Sequence, residues 1–430
     1  MNVVFRLRQL AYDLRESLLF RPALIIAVYG LVALALPVFE ASTSPGRAIA
    51  AAVVHTFPIE PANAQIVLAT LAGALMTVVS VVYSTLIVAL SLASIQFSTR
   101  ILATFVRDLP AQATLGALIG TFVFALLSLR SVHVDPPYVP ILTVYATLGL
   151  ALGALAVLVW FIHHIVRNIQ ANHLVDRLAA EAEPVLDAVF GAPLAPGESP
   201  APAACPSRPS GAIPVLATRS GYVQLISIDG LLDVADGGHL VLERGMGQFV
   251  VEGAPIAWWA GPRPIRAEDL AACIDVGAHR TLQDDAEWGL RQIVDIGLKA
   301  ISPAVNDPST GATCVDHVGR LCVRVANRQT PIGLHRRGAT IVEHPTPAFV
   351  DLVALGFDQL RQYGRADMAI TLRILRVLAD VAAATPHAVG RAALLRQGQL
   401  AHEGASANFV AGDREALDAR WAVLQERCRG

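Results

Sequence analysis

In the first 165 residues, four stretches contain no Asp, Glu, Lys or Arg: 22–39, 61–99, 109–129 and 136–166. A helix needs about 20 mainly apolar residues to cross a hydrocarbon core roughly 30 Å thick. The pattern therefore predicts four transmembrane helices, over about 22–39, 64–98, 109–130 and 138–163. The second is too long for a simple crossing, about 50 Å at the usual rise per residue. It must tilt or project past the bilayer, or else be a hairpin of two spans, although no Pro or Gly pair punctuates its middle.

Within that second span the polar positions are themselves ordered. Thr70, Gly73, Thr77, Ser80, Ser84, Ile87, Ser91, Ser94 and Ser98 are separated alternately by three and four residues, which places them on one helix face. The other faces carry Val, Leu and Ile. Two readings follow. Small and hydroxylated residues let another helix approach closely. Alternatively, copies of the helix surround an axis, and the stripe lines a water-filled path with Gln96 and Arg100 near its cytoplasmic end. Gly116 with Gly120, and Gly149 with Gly153, are GxxxG spacings in the third and fourth spans that permit close helix contact. No ionisable Asp, Glu, Lys or Arg sits in the middle of a span, which counts against a pump built on intramembrane carboxylates. His163 and His164 belong at the inner end of the fourth span, as interfacial residues or as a proton sensor.

Arginine in the short flanks gives the orientation. Arg6, Arg8, Arg15 and Arg21 precede the first span, Arg100 and Arg107 separate the second and third, and Arg167 and Arg177 follow the fourth. The opposite flanks hold only Arg47 and Arg130, so both termini are expected in the cytoplasm. Three further spans behind a long leader argue against a cleaved signal peptide.

Composition sharpens the division. The 430-residue chain is 54% hydrophobic and 16% charged, with a mean hydropathy of +0.52. Residues 1–165 are about 8% charged and residues 166–430 about 20%, against about 25% for average soluble proteins. The net charge of −2 gives no polyanion signature, and no nucleic-acid motif is present. All five cysteines lie in the second half without a CxxC, so neither a disulfide framework nor a zinc ribbon is indicated, and they read as buried thiols. No cofactor or metal is called for.

The second half is expected to be an α+β domain. Residues 168–190 read as an amphipathic helix and 191–212, rich in Pro, Ala and Ser, as a flexible linker, so that 167–212 joins the membrane domain of 1–166 to the rest. Short β-rich runs broken by glycine predict a small barrel-like module over 213–262. The run from Gly247 to Pro255 looks like the hairpin of lipoyl and biotinyl carrier domains, but the sole lysine of the chain, Lys299, lies elsewhere, which excludes a carrier role. From 263 to 430 the periodicity is mainly helical, with helices near 267–280, 283–301, 308–327, 347–362, 366–384, 387–402 and 413–428, and a short strand around 339–342.

In the helix near 283–301, Leu290, Ile293, Val294, Gly297, Leu298 and Ile301 form one face. Glu287, Arg291, Asp295 and Lys299 form a ladder at four-residue steps, a pattern that supports a helix by about 0.2–0.5 kcal/mol per opposite-charge pair. A partly buried network with a reactive Lys299 is the alternative. Next comes Ser302-Pro-Ala-Val-Asn306-Asp307-Pro308-Ser309-Thr310, in which Asp307 before Pro308 is a helix-start signal. The helix it opens buries Cys314, Val315, Val318, Leu321, Cys322 and Val325. A ligand site using Ser302, Asn306, Ser309, Thr310, Asp316 and His317 is the functional alternative.

The stretch 295–310, DIGLKAISPAVNDPST, together with 93–100, ASIQFSTR, resembles the bacterial family of predicted membrane proteins called domain of unknown function 2254. The resemblance covers nearly the whole layout, four early spans before a long soluble half. Thr99 stands where that family usually has proline, and Ala304 where it usually has glycine. The resemblance implies no activity, substrate or catalytic residue.

The leading expectation is a homo-oligomeric channel or channel-like protein that passes an ion or small solute, gated or assembled by its cytoplasmic domain. The other is a membrane-anchored ligand-sensing scaffold or enzyme with a site near the NDP turn. No GxSxG, P-loop, HExxH or GxGxxG pattern accompanies that turn.

Overall fold

The computed structural model describes residues 20–96, 108–168, 171–195, 197–201, 206–282 and 284–429. They form two compact units that divide between Gln170 and Ala171.

The first unit is helical. Its elements are α1 (Phe20–Ser42), α2 (Ser44–Thr56), α3 (Pro61–Gln96), α4 (Leu109–Arg130) and α5 (Ile141–Asn168). Four of them, α1, α3, α4 and α5, are long and apolar enough to cross a membrane. Thr43 caps α2 by accepting from the Gly46 amide, with Pro45 in the first turn. No helix was expected between the first two spans, where Arg47 served only to mark a flank. Of the 36 residues of α3, all are helical without a break, so it is not a hairpin of two spans. At about 1.5 Å per residue it is about 54 Å long.

Packing in this unit uses the small residues of α4. A Cβ on Gly116 would lie 3.0 Å from Ile25, and one on Gly120 would lie 2.9 Å from Tyr29, so α1 sits directly on the glycine face of α4. The inward face of α3 is apolar: Leu75 and Val82 pack with Leu115 and Leu118 of α4 and with Ala154 and Phe161 of α5. Ala64 and Leu68 pack with Val132 and Val144.

The second unit begins with α6 (Ala171–Val189), amphipathic as expected, whose Leu174, Val175, Leu178, Ala182 and Leu186 are buried. The strands and short helices follow: β1 (Ile213–Leu216), β2 (Gly221–Ile226), α7 (Ile228–Val234), β3 (His239–Leu242), β4 (Phe249–Val250), β5 (Pro255–Ala260), α8 (Ala267–Ala271) and β6 (Ile274–Gly277). Then come α9 (Ala286–Ala300), α10 (Pro308–Val325), β7 (Leu334–Arg337), β8 (Thr340–Glu343), α11 (Phe349–Gly364), α12 (Met368–Ala384), α13 (Ala388–Ser406) and α14 (Ala411–Arg429).

The strands make two small sheets, in the orders β1-β5-β3-β8-β7 and β4-β2-β6. All neighbours are antiparallel except β3 and β8. Both sheets contribute to one core, through Leu240, Leu242, Ile256, Trp259 and Val342 from the first and Val223, Val250 and Ile274 from the second. Three sequence expectations change here. Residues 267–280 do not form one helix: α8 stops at Ala271, and 274–277 alternate in burial as β6 against β2. The carrier-like run is no hairpin, because β4 pairs with β2 while β5 pairs with β1 and β3. The 191–212 stretch is tied down at its start, where Gly191, Ala192 and Leu194 exchange backbone hydrogen bonds with Asn327 and Gln329.

Candidate functional site

The polar stripe of α3 faces away from its own bundle. Thr70, Gly73, Thr77, Ser80, Ser84, Ile87 and Ser91 are all exposed, opposite Leu68, Leu75 and Val82, which are buried. A Cβ on Gly73 would meet nothing within 4 Å. Four of its hydroxyls donate to the carbonyl four residues earlier: Thr70 to Ile66 at 2.7 Å, Thr77 to Gly73 at 3.1 Å, Ser80 to Met76 at 3.0 Å and Ser84 to Ser80 at 2.9 Å. Bonding back to the helix leaves the hydroxyl oxygen's remaining acceptor capacity turned outward and keeps the stripe narrow. Ser94 and Gln96 continue the helix, with side chains outside the described set, and Ser98 and Arg100 lie outside the described residues. The second GxxxG behaves the same way. Gly149 and Gly153 on α5 are exposed, with nothing within 4 Å of an added Cβ.

Two carboxylates brace the bundle. Glu40, near the end of α1 and 6% exposed, accepts from the amides of Ile141 at 2.8 Å and Leu142 at 3.1 Å, and so caps the start of α5 from another helix. Asp108 caps α4 by accepting from the Ala111 amide, and its Oδ2 lies 2.8 Å from Nε2 of His164 on α5. His164 therefore has a defined carboxylate partner, while its ring lies along Trp160. The sequence shows Glu40 and Asp108 as charges beside spans, but not which helix each would cap.

The NDP turn is a tight reversal between α9 and α10. The amides of Val305 and Asn306 both donate to the Ser302 carbonyl, the Ser302 hydroxyl donates to the Lys299 carbonyl, and the Asp307 amide donates to the Ala300 carbonyl. Asn306 has φ +51°, a left-handed conformation that Asn tolerates better than most residues. Asp307 accepts from the Thr310 amide at 3.0 Å and from its hydroxyl at 2.6 Å, and these bonds hold its carboxyl below the usual range. Local geometry thus explains two prolines and an Asn-Asp pair in one turn.

The other residues singled out near the turn have separate partners. Asp295 pairs with Arg291, which also donates to Gln359. Asp316 is held by Arg373 at 2.6 Å and Arg376 at 2.9 Å from α12. His317, the next residue round the helix, lies among the charges of Asp176, Arg320 and Glu183, and burial pushes its pKa down. Asp295 and Asp316 thus turn to different arginines, on α9 and on α12. Burial pushes Cys314 and Cys322 far up, the latter to about 12, so neither is a nucleophile.

A stronger charge cluster lies at the start of α9. Arg280 holds Asp285 through two bonds of 2.9 and 2.8 Å, beneath Gly247, where a Cβ would meet the Asp285 carboxylate at 2.1 Å. Asp285 also caps α9. This pair joins the glycine-rich turn before β4 to the helices and serves architecture.

A family model described as a predicted membrane protein, DUF2254, matches residues 15–380. An uncharacterized protein of Mycobacterium tuberculosis and one of Mycobacterium bovis are each 32% identical over 337 residues, 75% of this chain. The chain spans 64% of the length of these relatives. No solved structure matches.

Proposed function

The chain belongs to the DUF2254 family of predicted membrane proteins, and from that premise we propose that it is a homo-oligomeric, channel-like protein of a bacterial inner membrane. The carrying observation is that the hydroxyl stripe of α3 is exposed and unused by its own bundle. In lipid, large side chains fill the space around a helix, as Val81 and Val88 do beside the stripe of α3. Small residues in a line instead favour the close approach of another helix. Gly149 and Gly153 of α5 form a second such face left open, so copies have two small-residue surfaces through which to associate. A ring built by head-to-tail contacts closes on itself if the rotation allows. It brings copies of α3 round an axis with hydroxyls toward water, where their spare acceptor capacity suits a hydrated ion or small polar solute.

The arginine bias of the flanks supports an orientation with both termini in the cytoplasm. The sheet-and-helix unit then lies there, as an assembly or gating body. A ligand site at the NDP turn has less support, since the turn's polar groups already serve the reversal itself.

The test is reconstitution of the purified full chain in planar bilayers, beside Ser84→Leu and Ser91→Leu variants. Conductance in the wild type, lost in variants that still form oligomers, is the expected result. Intact oligomers that conduct nothing across a range of ions, voltages and tensions would overturn the pore. A monomer in lipid nanodiscs would overturn the assembly as well.

A further inference from the structure

Two histidines outside every site considered above meet across the β7–β8 hairpin. The hairpin turns through Gly338, φ +61°, with Arg337 opposite Thr340 and His335 opposite Val342. Glycine at the first central position of a two-residue loop suits the right-handed twist of such ribbons. His344 follows β8, its amide donating to the Gly333 carbonyl, which fixes the chain on the same side as His335. Both imidazoles are half-buried.

Their geometry is specific. The two Nε2 atoms are 3.2 Å apart, while the ring centroids are 5.3 Å apart with planes only 8° from parallel. Rings lying face over face would bring the centroids much closer than that. The rings instead meet edge to edge, each Nε2 directed at the other.

The remaining nitrogens decide the tautomers. Nδ1 of His344 lies 3.2 Å from the Pro345 carbonyl, which can only accept. The Ile332 backbone is the other polar neighbour of His335, and with Nε2 turned to His344 the nitrogen left to meet it is Nδ1. With the proton on Nδ1 of each neutral ring, both present a lone pair at Nε2. Two acceptors face each other, and a cation reconciles them.

We propose that His335 and His344 form a binding site for a divalent transition-metal ion of the imidazole-preferring class, zinc, cobalt, nickel or copper. Metal-ligating histidines commonly donate their other N–H to a backbone carbonyl, as both do here. The spacing also fits. With metal–nitrogen bonds of about 2.0–2.1 Å in a tetrahedral site, two imidazole nitrogens lie about 3.3 Å apart and their ring centroids about 5.2 Å apart. Nearby Glu343 is already engaged by His239 at 2.8 Å, and no group of three His, Cys, Asp or Glu is gathered among the described residues. Water therefore completes the coordination, which makes the site open and exchangeable, suited to sensing a metal or presenting it to a further ligand.

The competing explanation is a single proton shared between the rings. Untagged full-length protein in detergent, titrated with Co2+ alone, distinguishes the two. The wild type should bind one ion with the intense visible bands of a tetrahedral complex, displaced by Zn2+, and His335→Gln or His344→Gln should each weaken that binding at least about tenfold. Two separate variants guard against one failing to fold, as checked by circular dichroism. Equal Co2+ binding by wild type and both variants, or a wild type that binds none tighter than millimolar, would overturn the site and leave the shared proton.

Discussion

Asp307 shows how one side chain sets the join between the two central helices. It caps α10 with both carboxylate oxygens on Thr310. Asp307→Ala should lower the stability of the sheet-and-helix unit by about 1 kcal/mol, within the range of about 0.5–2 for lost caps, as read by urea denaturation. Because its folded pKa is lowered, its contribution is complete above the ordinary carboxylate range and fades as pH falls through the lowered value. The acid side of the wild-type stability curve should therefore be steeper than that of the variant. Asn306, at φ +51°, should accept Gly with little change, whereas Asn306→Val should cost about 1–2 kcal/mol. The cap was legible because Asp before Pro acts locally. The pairing of Asp316 with α12, and of His335 with His344, was not, since each depends on which elements lie side by side.

At the scale of elements, the four apolar helices were legible from the spacing of charges alone, because lipid excludes charge along a whole span. Whether a small-residue face is used could not be read. Gly116 and Gly120 are filled by Ile25 and Tyr29, yet Gly149 and Gly153 of the same spacing stand open. Gly120→Leu should thus destabilise the monomeric bundle strongly, while Gly153→Leu should leave its thermal unfolding unchanged and weaken association, measured by the mass of the detergent-solubilised particle. Residues 267–280 were misread because helical propensity there yields to pairing of β6 with β2. On α10, Arg320, Arg324 and Arg328 reach Asp176, Glu183 and Asp187 of α6, the helix that follows the last span. These pairs are largely exposed, so Arg324→Ala should lower stability only slightly, an effect that added salt diminishes, as read by urea denaturation at low and high salt.

For the molecule as a whole, the partition of charge between a first part at about 8% and a second at about 20% foretold two unlike units. The parallel pairing of β3 with β8, about a hundred residues apart in the chain, was beyond any local pattern. What the structure adds to the stripe of α3 is its direction, outward from the bundle that carries it. The most direct test is a cysteine scan of α3 in native membranes, comparing Thr77→Cys and Ser84→Cys on the stripe with Val81→Cys and Val88→Cys beside it. Assembly around a watery axis predicts that the stripe positions cross-link between copies and react with a charged, membrane-impermeant thiol reagent, while the flanking positions do neither. Stripe cysteines that stay unlinked and unreactive, like their neighbours, would contradict it.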